Sequence, residues 1–281
     1  MRIYEILADA ARFAASRWQA AVAQGREEEK RLWSYVGESR NFVHMTGQVY
    51  RFEDYLEGLA PGAPPTASPA LSAGKGGFSR PAVELFLEVL DEVPEPEQKQ
   101  HVRVLIALLD FIADTGQTDD VEDFFINHQQ YAPIAVAQFA SRDEAEAWLM
   151  GVAEPPSPAY ILIGDDYHQL WYMREDNTRG MYRDYVIEPI IKALTAKGIP
   201  PGAPSFHSRT EAEEWLKSHP AAPEAFVVIA GEYYLAVHHK RLKRHTLHHV
   251  ASALREWEER KRTVEFGESR EAGAPPAEEG E

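Results

Sequence analysis

The chain has 281 residues, 44% of them hydrophobic and 11% aromatic, enough to bury one large core or two ordinary ones. It contains no cysteine, which excludes disulfides, thiolate nucleophiles and zinc sites of the Cys type. Its 45 acidic and 29 basic residues leave a net charge of −16, a field that repels nucleic acid and steers basic partners. No stretch reaches the roughly 18 apolar residues that a membrane helix needs, and the start, MRIYEILADAARF, is acidic and amphipathic where a signal peptide is basic and then apolar. A cytoplasmic protein without a membrane segment is expected.

In chain order, ILADAARFAASRWQAAVA (6 to 23) has helical periodicity. Leu32, Val36 and Val43 continue it into a second helix that Gly47 ends as a left-handed residue. A hairpin between FVHM and VYRF is the alternative at Gly47. PGAPPTASPALSAGKGG (61 to 77) is a Pro-, Gly- and Ala-rich spacer; it misses the GxxxxGK[ST] spacing of a phosphate loop. AVELFLEVLDEV (82 to 93) is another amphipathic helix, and Val104, Leu108, Leu109 and Ile112 lead a further one into Gly116. NFVHMTGQVYRFEDYL (41 to 56) matches DFIADTGQTDDVEDFF (110 to 125), with Thr-Gly-Gln and Glu-Asp in register. Residues 1–60 and 80–130 are therefore read as two related helical units joined by a linker, 61–79. The acidic pairs Glu53-Asp54 and Glu122-Asp123 are read as first-turn acids favoured by the helix dipole.

The second half repeats a phrase, FASRDEAEAWL (139 to 149) and FHSRTEAEEWL (206 to 216). Ser141 with Glu144, and Ser208 with Glu211, are capping boxes that start a helix, on which Trp148 and Trp215 face a core. Each helix is followed by a Pro-containing loop, an apolar strand (AYILIG or AFVVIAG), a tight turn at Gly164 or Gly231, and a second, aromatic strand. A closing helix is read from Tyr182, Tyr185, Val186, Ile190 and Leu194, kinked or restarted near Glu188 by Pro189, and from Leu247, Val250, Ala251, Leu254 and Trp257. The expected fold is α+β: the helical region, then two tandem β-α-β-β-α modules at 133–199 and 200–262, shifted by about 67 positions. Residues 263–281, with six Glu against one Arg from Val264 onward, are expected to be a disordered acidic tail.

HHKRLKRHTLHH (238 to 249) concentrates five His and four cations. His245 and His249 stand i, i+4 on the expected helix, a spacing that offers two ligands to a metal, although no HExxH accompanies them. The cations Lys240, Arg241, Lys243 and Arg244 suit phosphates; the plainer reading is a solvated connection whose charges offset the acid around it. With His168, Tyr172 and Arg174 of the first module and Tyr234 and His238 of the second, those four cations make up the candidate binding surface. The aromatic hairpins (Tyr167, Gln169, Trp171 and Met173 on one face) are either buried between sheets or open to a partner. No GxSxG elbow and no GxGxxG after a strand is present, and no catalytic residue, cofactor or resident metal is assigned.

The tandem SRxEAExWL phrases, each with its Pro loop, apolar strand and Gly-containing turn into tyrosines, resemble a group of paralogous proteins associated with myxobacteria. The resemblance covers residues 133–262. It implies a cytoplasmic immunity protein that neutralises a partner toxin, and it carries over no contact residue. The expected function is therefore non-enzymatic protein binding of the immunity or antitoxin type, with a basic toxin as partner. The alternative is a regulator that binds nucleic acid or a nucleotide through 238–249.

Overall fold

The computed structural model describes residues 3–59, 68–72 and 77–271, with Ser72 and the last eight residues as backbone only. The spacer between the helical units lies largely outside the described residues, as do residues 272–281 of the expected acidic tail; residues 263–271, expected to be disordered, instead continue the last helix. The architecture is α+β, a helical region followed by two four-stranded sheets.

The helical region comprises α1 (Ile3–Ala23), α2 (Glu27–Met45), α3 (Val49–Gly58), α4 (Ser79–Glu92), α5 (Pro96–Asp114) and α6 (Thr118–Asn127). All six share one apolar core, so the two helical segments are packed against each other. Helix α5 is its axis: every residue from Val104 to Ala113 is buried, the pattern of a helix surrounded on all sides. Asp110 is tolerated there because its carboxylate accepts the Ser68 amide at 2.8 Å. The helix ends follow the Thr-Gly-Gln triplets. Gly47 and Gly116 have φ of +68° and +70°, and the amides of Gln48 and Gln117 reach back to Val43 O and Ile112 O, both at 2.9 Å. These are Schellman ends, and each turns the chain directly into a short helix, α3 or α6, rather than into a hairpin.

The first sheet is ordered β1 (Ala135–Phe139), β2 (Ala159–Ile163), β3 (Asp166–Met173), β4 (Thr178–Arg183); the second is ordered β5 (Ser205–Phe206), β6 (Glu224–Ile229), β7 (Glu232–His239), β8 (Arg244–His249). In both, the first pair is parallel and the rest antiparallel. Helices α7 (Arg142–Gly151) and α9 (Arg209–Ser218) cross between the parallel strands, and α8 (Glu188–Thr195) and α10 (Val250–Glu271) follow the sheets. Ser141 and Ser208 cap α7 and α9, accepting from Glu144 and Glu211 amides at 3.3 Å; the returning carboxylates bind the amides of Ala140 and His207, one residue before the cap. Trp148 packs on Phe139 at 5.2 Å and Trp215 on Phe206 at 5.6 Å, so the two indoles share this strand contact, while Trp215 also stacks on His219 at 4.3 Å.

Each sheet has one strand more than the sequence suggests. Tyr182 and Leu247, read as the starts of closing helices, lie on β4 and β8, opposite Gln169 and Ala236. The antiparallel ladder beside β3 and β7 outweighs a helical spacing whose apolar positions hold equally well from Glu188 and Val250 onward. Helix α8 does restart at Glu188, with Pro189 in its first turn.

Candidate functional site

The two halves are joined by the second members of the duplicated pairs. Arg174, immediately after β3, forms a bidentate pair with Asp54 (2.7 and 2.9 Å), reaches Glu53 and Glu154, and lies 4.8 Å over the Tyr50 ring. Lys240, immediately after β7, pairs with Asp123 and lies 5.0 Å over the Tyr131 ring. Glu122 is buried and accepts the Phe78 and Ser79 amides at 3.2 and 3.3 Å, capping α4 from a distance. Glu53-Asp54 and Glu122-Asp123 thus sit in the second turns of α3 and α6, where they bind particular partners; the first-turn dipole reading is corrected. Arg174 and Lys240, expected on an outer binding surface, hold the modules to the helical region.

Other candidates also pack against the body of the protein. His168 is buried with Nδ1 3.3 Å from Asp166 O, and burial lowers its pKa. Tyr172 is buried, its amide donating to Ser157 Oγ at 2.9 Å and its ring against Tyr50. Arg241 lies 5.1 Å over Phe42. Arg244 joins the two modules, bonding Asp165 at 2.9 Å and Gln138 at 3.0 Å. Asp165, in the β2–β3 turn, also receives Arg209 and the Leu247 amide.

Of the remaining candidates, His238, Lys243 and His245 come together at a cleft of about 530 Å³ at the far end of the second sheet. Its walls are Glu213, Lys217 and Pro220 on one side and Lys240, Lys243 and Arg244 on the other, with His238 and His245 between them. These two imidazoles oppose each other across β7 and β8 and stack at 4.6 Å, 18° from parallel. The Ala221 amide donates to His245 Nε2 at 3.2 Å, so that nitrogen carries no proton. Burial and the neighbouring ring push His245 down to about 4, and burial lowers His238 as well. Lys243 turns the chain at φ +51° and is exposed; its ammonium makes no ion pair among the described residues. Tyr234 stands outside the cleft, packed at 5.1 Å on His249.

His245 and His249 are on a strand, not a helix, about 13 Å apart along it. They do not converge on one ion; His249 instead bonds Ser252 at 2.8 Å. No group of three or more His, Asp or Glu among the described residues has metal-binding geometry. Behind the cleft, His248 Nε2 lies 2.8 Å from Thr246 Oγ1, which lies 2.9 Å from His239 Nε2; His239 Nδ1 is 3.4 Å from the Tyr167 hydroxyl, which donates to Pro133 O at 3.0 Å. Since that hydroxyl has one proton, His239 Nδ1 is the donor to it and Thr246 donates to Nε2. The chain of bonds is complete with every imidazole neutral.

Composition pointed to the His-rich segment but not to Lys217, Pro220 or Ala221, which α9 and its loop bring from the other side. Nothing local to them marks a site. No helix among the described residues is long and apolar enough to cross a membrane. No protein-family model, curated protein or solved structure matches the chain.

Proposed function

We propose that this is a non-enzymatic protein-binding protein, of the immunity type, that seats an acidic segment of its partner in the cleft between α9 and the β7–β8 turn. The observation that carries this reading is the local reversal of charge. In a chain of net −16, Lys217, Lys240, Lys243 and Arg244 line one recess with a single carboxylate, Glu213, whose charge is met by Arg209. At long range the acidic body draws a partner of basic net charge, and at contact the recess fixes its orientation. A partner toxin is the narrower form of the same reading.

Nucleic acid is the second reading, favoured by the same cations. Three of them are already engaged, Lys240 by Asp123, Arg244 by Asp165 and Lys217 by Glu214, which leaves Lys243 alone to meet a backbone that carries one charge per phosphate. The test is a titration of the full chain with a Glu-rich peptide and, separately, with a single-stranded oligonucleotide of equal charge, following the His238 and His245 ring resonances. Peptide binding that shifts both rings, weakens with salt and is lost in Lys217→Glu/Lys243→Glu is the expected result. Unmoved rings, or tighter binding of the oligonucleotide, overturn the proposal.

A further inference from the structure

The two sheets meet without reciprocity. Ile163 pairs with Asp166 in the first and Ile229 with Glu232 in the second, so equivalent positions in the hairpins differ by 66. Tyr167 then corresponds to Tyr233, Leu162 to Val228, Trp171 to Val237 and Met173 to His239. Within the chain, the turn end of the first sheet packs on the far end of the second: Leu162 and Tyr167 share a core with Leu235 and Val237, and the Tyr167 ring is 5.5 Å from His239.

A two-fold relation between the modules would bury Tyr233 against Met173 in the same way. It does not. Tyr167 is 2% exposed whereas Tyr233 is 41% exposed, and Met173 is 48% exposed whereas His239 is 5% exposed. The contact is therefore head to tail, and a contact of that kind uses one surface of each repeat while leaving the counterpart of each unfilled.

Both unfilled surfaces have the composition of an interface. On the first sheet, Trp171 (40% exposed), Met173 and Tyr182 (49% exposed) form a continuous patch on β3 and β4. The Trp171 indole lies flat across Gly180, where an added Cβ would come within 2.7 Å of it, so the ring presents its broad face. On the second sheet, Tyr233 keeps the residue type of Tyr167 and has Val228 directly opposite, as Tyr167 has Leu162. The surface that inserts is thus preserved in type, and the surface that receives is larger and more aromatic.

We propose that a second copy of this chain fills the vacancy: the Tyr233 end of one copy's second sheet packs on the Trp171–Met173 face of another copy's first sheet. This repeats between chains the contact each chain makes within itself. It is continuous with the module interface and does not close at two copies. Two bodies of net −16 repel, so the association strengthens as salt screens them, opposite to binding at the cationic cleft.

Sedimentation velocity of the full chain across a wide range of concentration, at low and high salt, tests this with two variants, Trp171→Glu and Tyr233→Glu. The wild type should grow into species larger than a dimer as concentration rises, and each variant alone should stay monomeric. Mixed together, the variants keep one intact contact between them and should give a 1:1 dimer and nothing larger. Trp171→Phe, which keeps the apolar face, should retain growth, and unchanged circular dichroism shows that the variants fold. Lys217→Glu/Lys243→Glu should associate like the wild type, which separates this proposal from the one for the cleft. A wild type that is monomeric throughout, a variant that still associates alone, or a mixture that stays monomeric overturns the proposal.

Discussion

Gln48 and Gln117 exchange a pair of side-chain amide hydrogen bonds, at 2.8 and 2.9 Å, where the two helical segments meet. Each amide nitrogen also donates to the threonine two residues before it, Thr46 or Thr115, at 2.7 Å, and those hydroxyls bond Phe42 O and Phe111 O, again at 2.7 Å. The two Thr-Gly-Gln triplets therefore recognise each other reciprocally. The helical segments meet through a local two-fold while the modules they carry meet head to tail.

Removing one amide strands the other. Gln48→Ala should cost about 1–3 kcal/mol, because Gln117 is left with an unmet donor and acceptor in a part-buried site. Urea unfolding of Gln48→Ala, Gln117→Ala and the double variant measures it; the double variant should cost less than the sum of the two. Strict additivity would show that the pair contributes nothing.

The two clamps differ in quality. Arg174 makes a bidentate pair with Asp54 and reaches two further carboxylates, whereas Lys240 holds Asp123 alone. Arg174→Ala should destabilise by about 1–2 kcal/mol and Lys240→Ala by less than about 1 kcal/mol, since both pairs are partly solvated. Hydrogen exchange at α3 should rise in the first variant and at α6 in the second. Equal effects would mean that the planar fork of Arg174 confers no advantage.

Acid should loosen the join between the modules. Burial, together with neighbouring cations, pushes His239 down to about 3 and His248 down to about 4. Both lie below the unfolded value near 6.5, so the unfolded chain takes up protons that the folded one refuses. The neutral relay's contribution is intact above pH 6.5 and is lost progressively as pH falls from there towards 4 and 3. Replacing His239 with Gln should flatten the fall in unfolding free energy between about pH 6 and about pH 4.5 by about 1.4 kcal/mol per pH unit. A slope equal to that of the wild type would place the protonation elsewhere.

Two glycines are held by close approach. At Gly47 an added Cβ would lie 2.6 Å from Pro156 and Ser157 backbone, at a φ of +68°, in the loop whose carbonyl accepts the Ser157 amide at 3.1 Å. Gly47→Ala combines backbone strain with a clash against main chain, and should lower stability by more than about 1 kcal/mol. Gly116, with φ +70° but open space around it, isolates the first of these, so Gly116→Ala should cost less. At Gly180, alanine should displace the Trp171 indole, read as a change in its fluorescence, with the fold retained.

Serine caps, left-handed glycines and the helix anchors Trp148 and Trp215 were legible in the sequence because each depends on bonds or spacings within a few residues. A hydroxyl three residues before a carboxyl specifies a helix start wherever the chain goes next. The division into a helical region and two sheet modules follows from such signals in order. What β4 and β8 would become was not settled locally, since Tyr182 and Leu247 fit a helical stripe as well as a ladder, and the free edges of β3 and β7 decided it. The same holds for charge: the carboxylates that meet Arg174 and Lys240 lie 120 and 117 residues away, a distance over which spacing carries no information. Tertiary structure turned the composition of 238–249 into a join, a buried relay and one open cleft, because which face of a strand meets water depends on what is packed against the other.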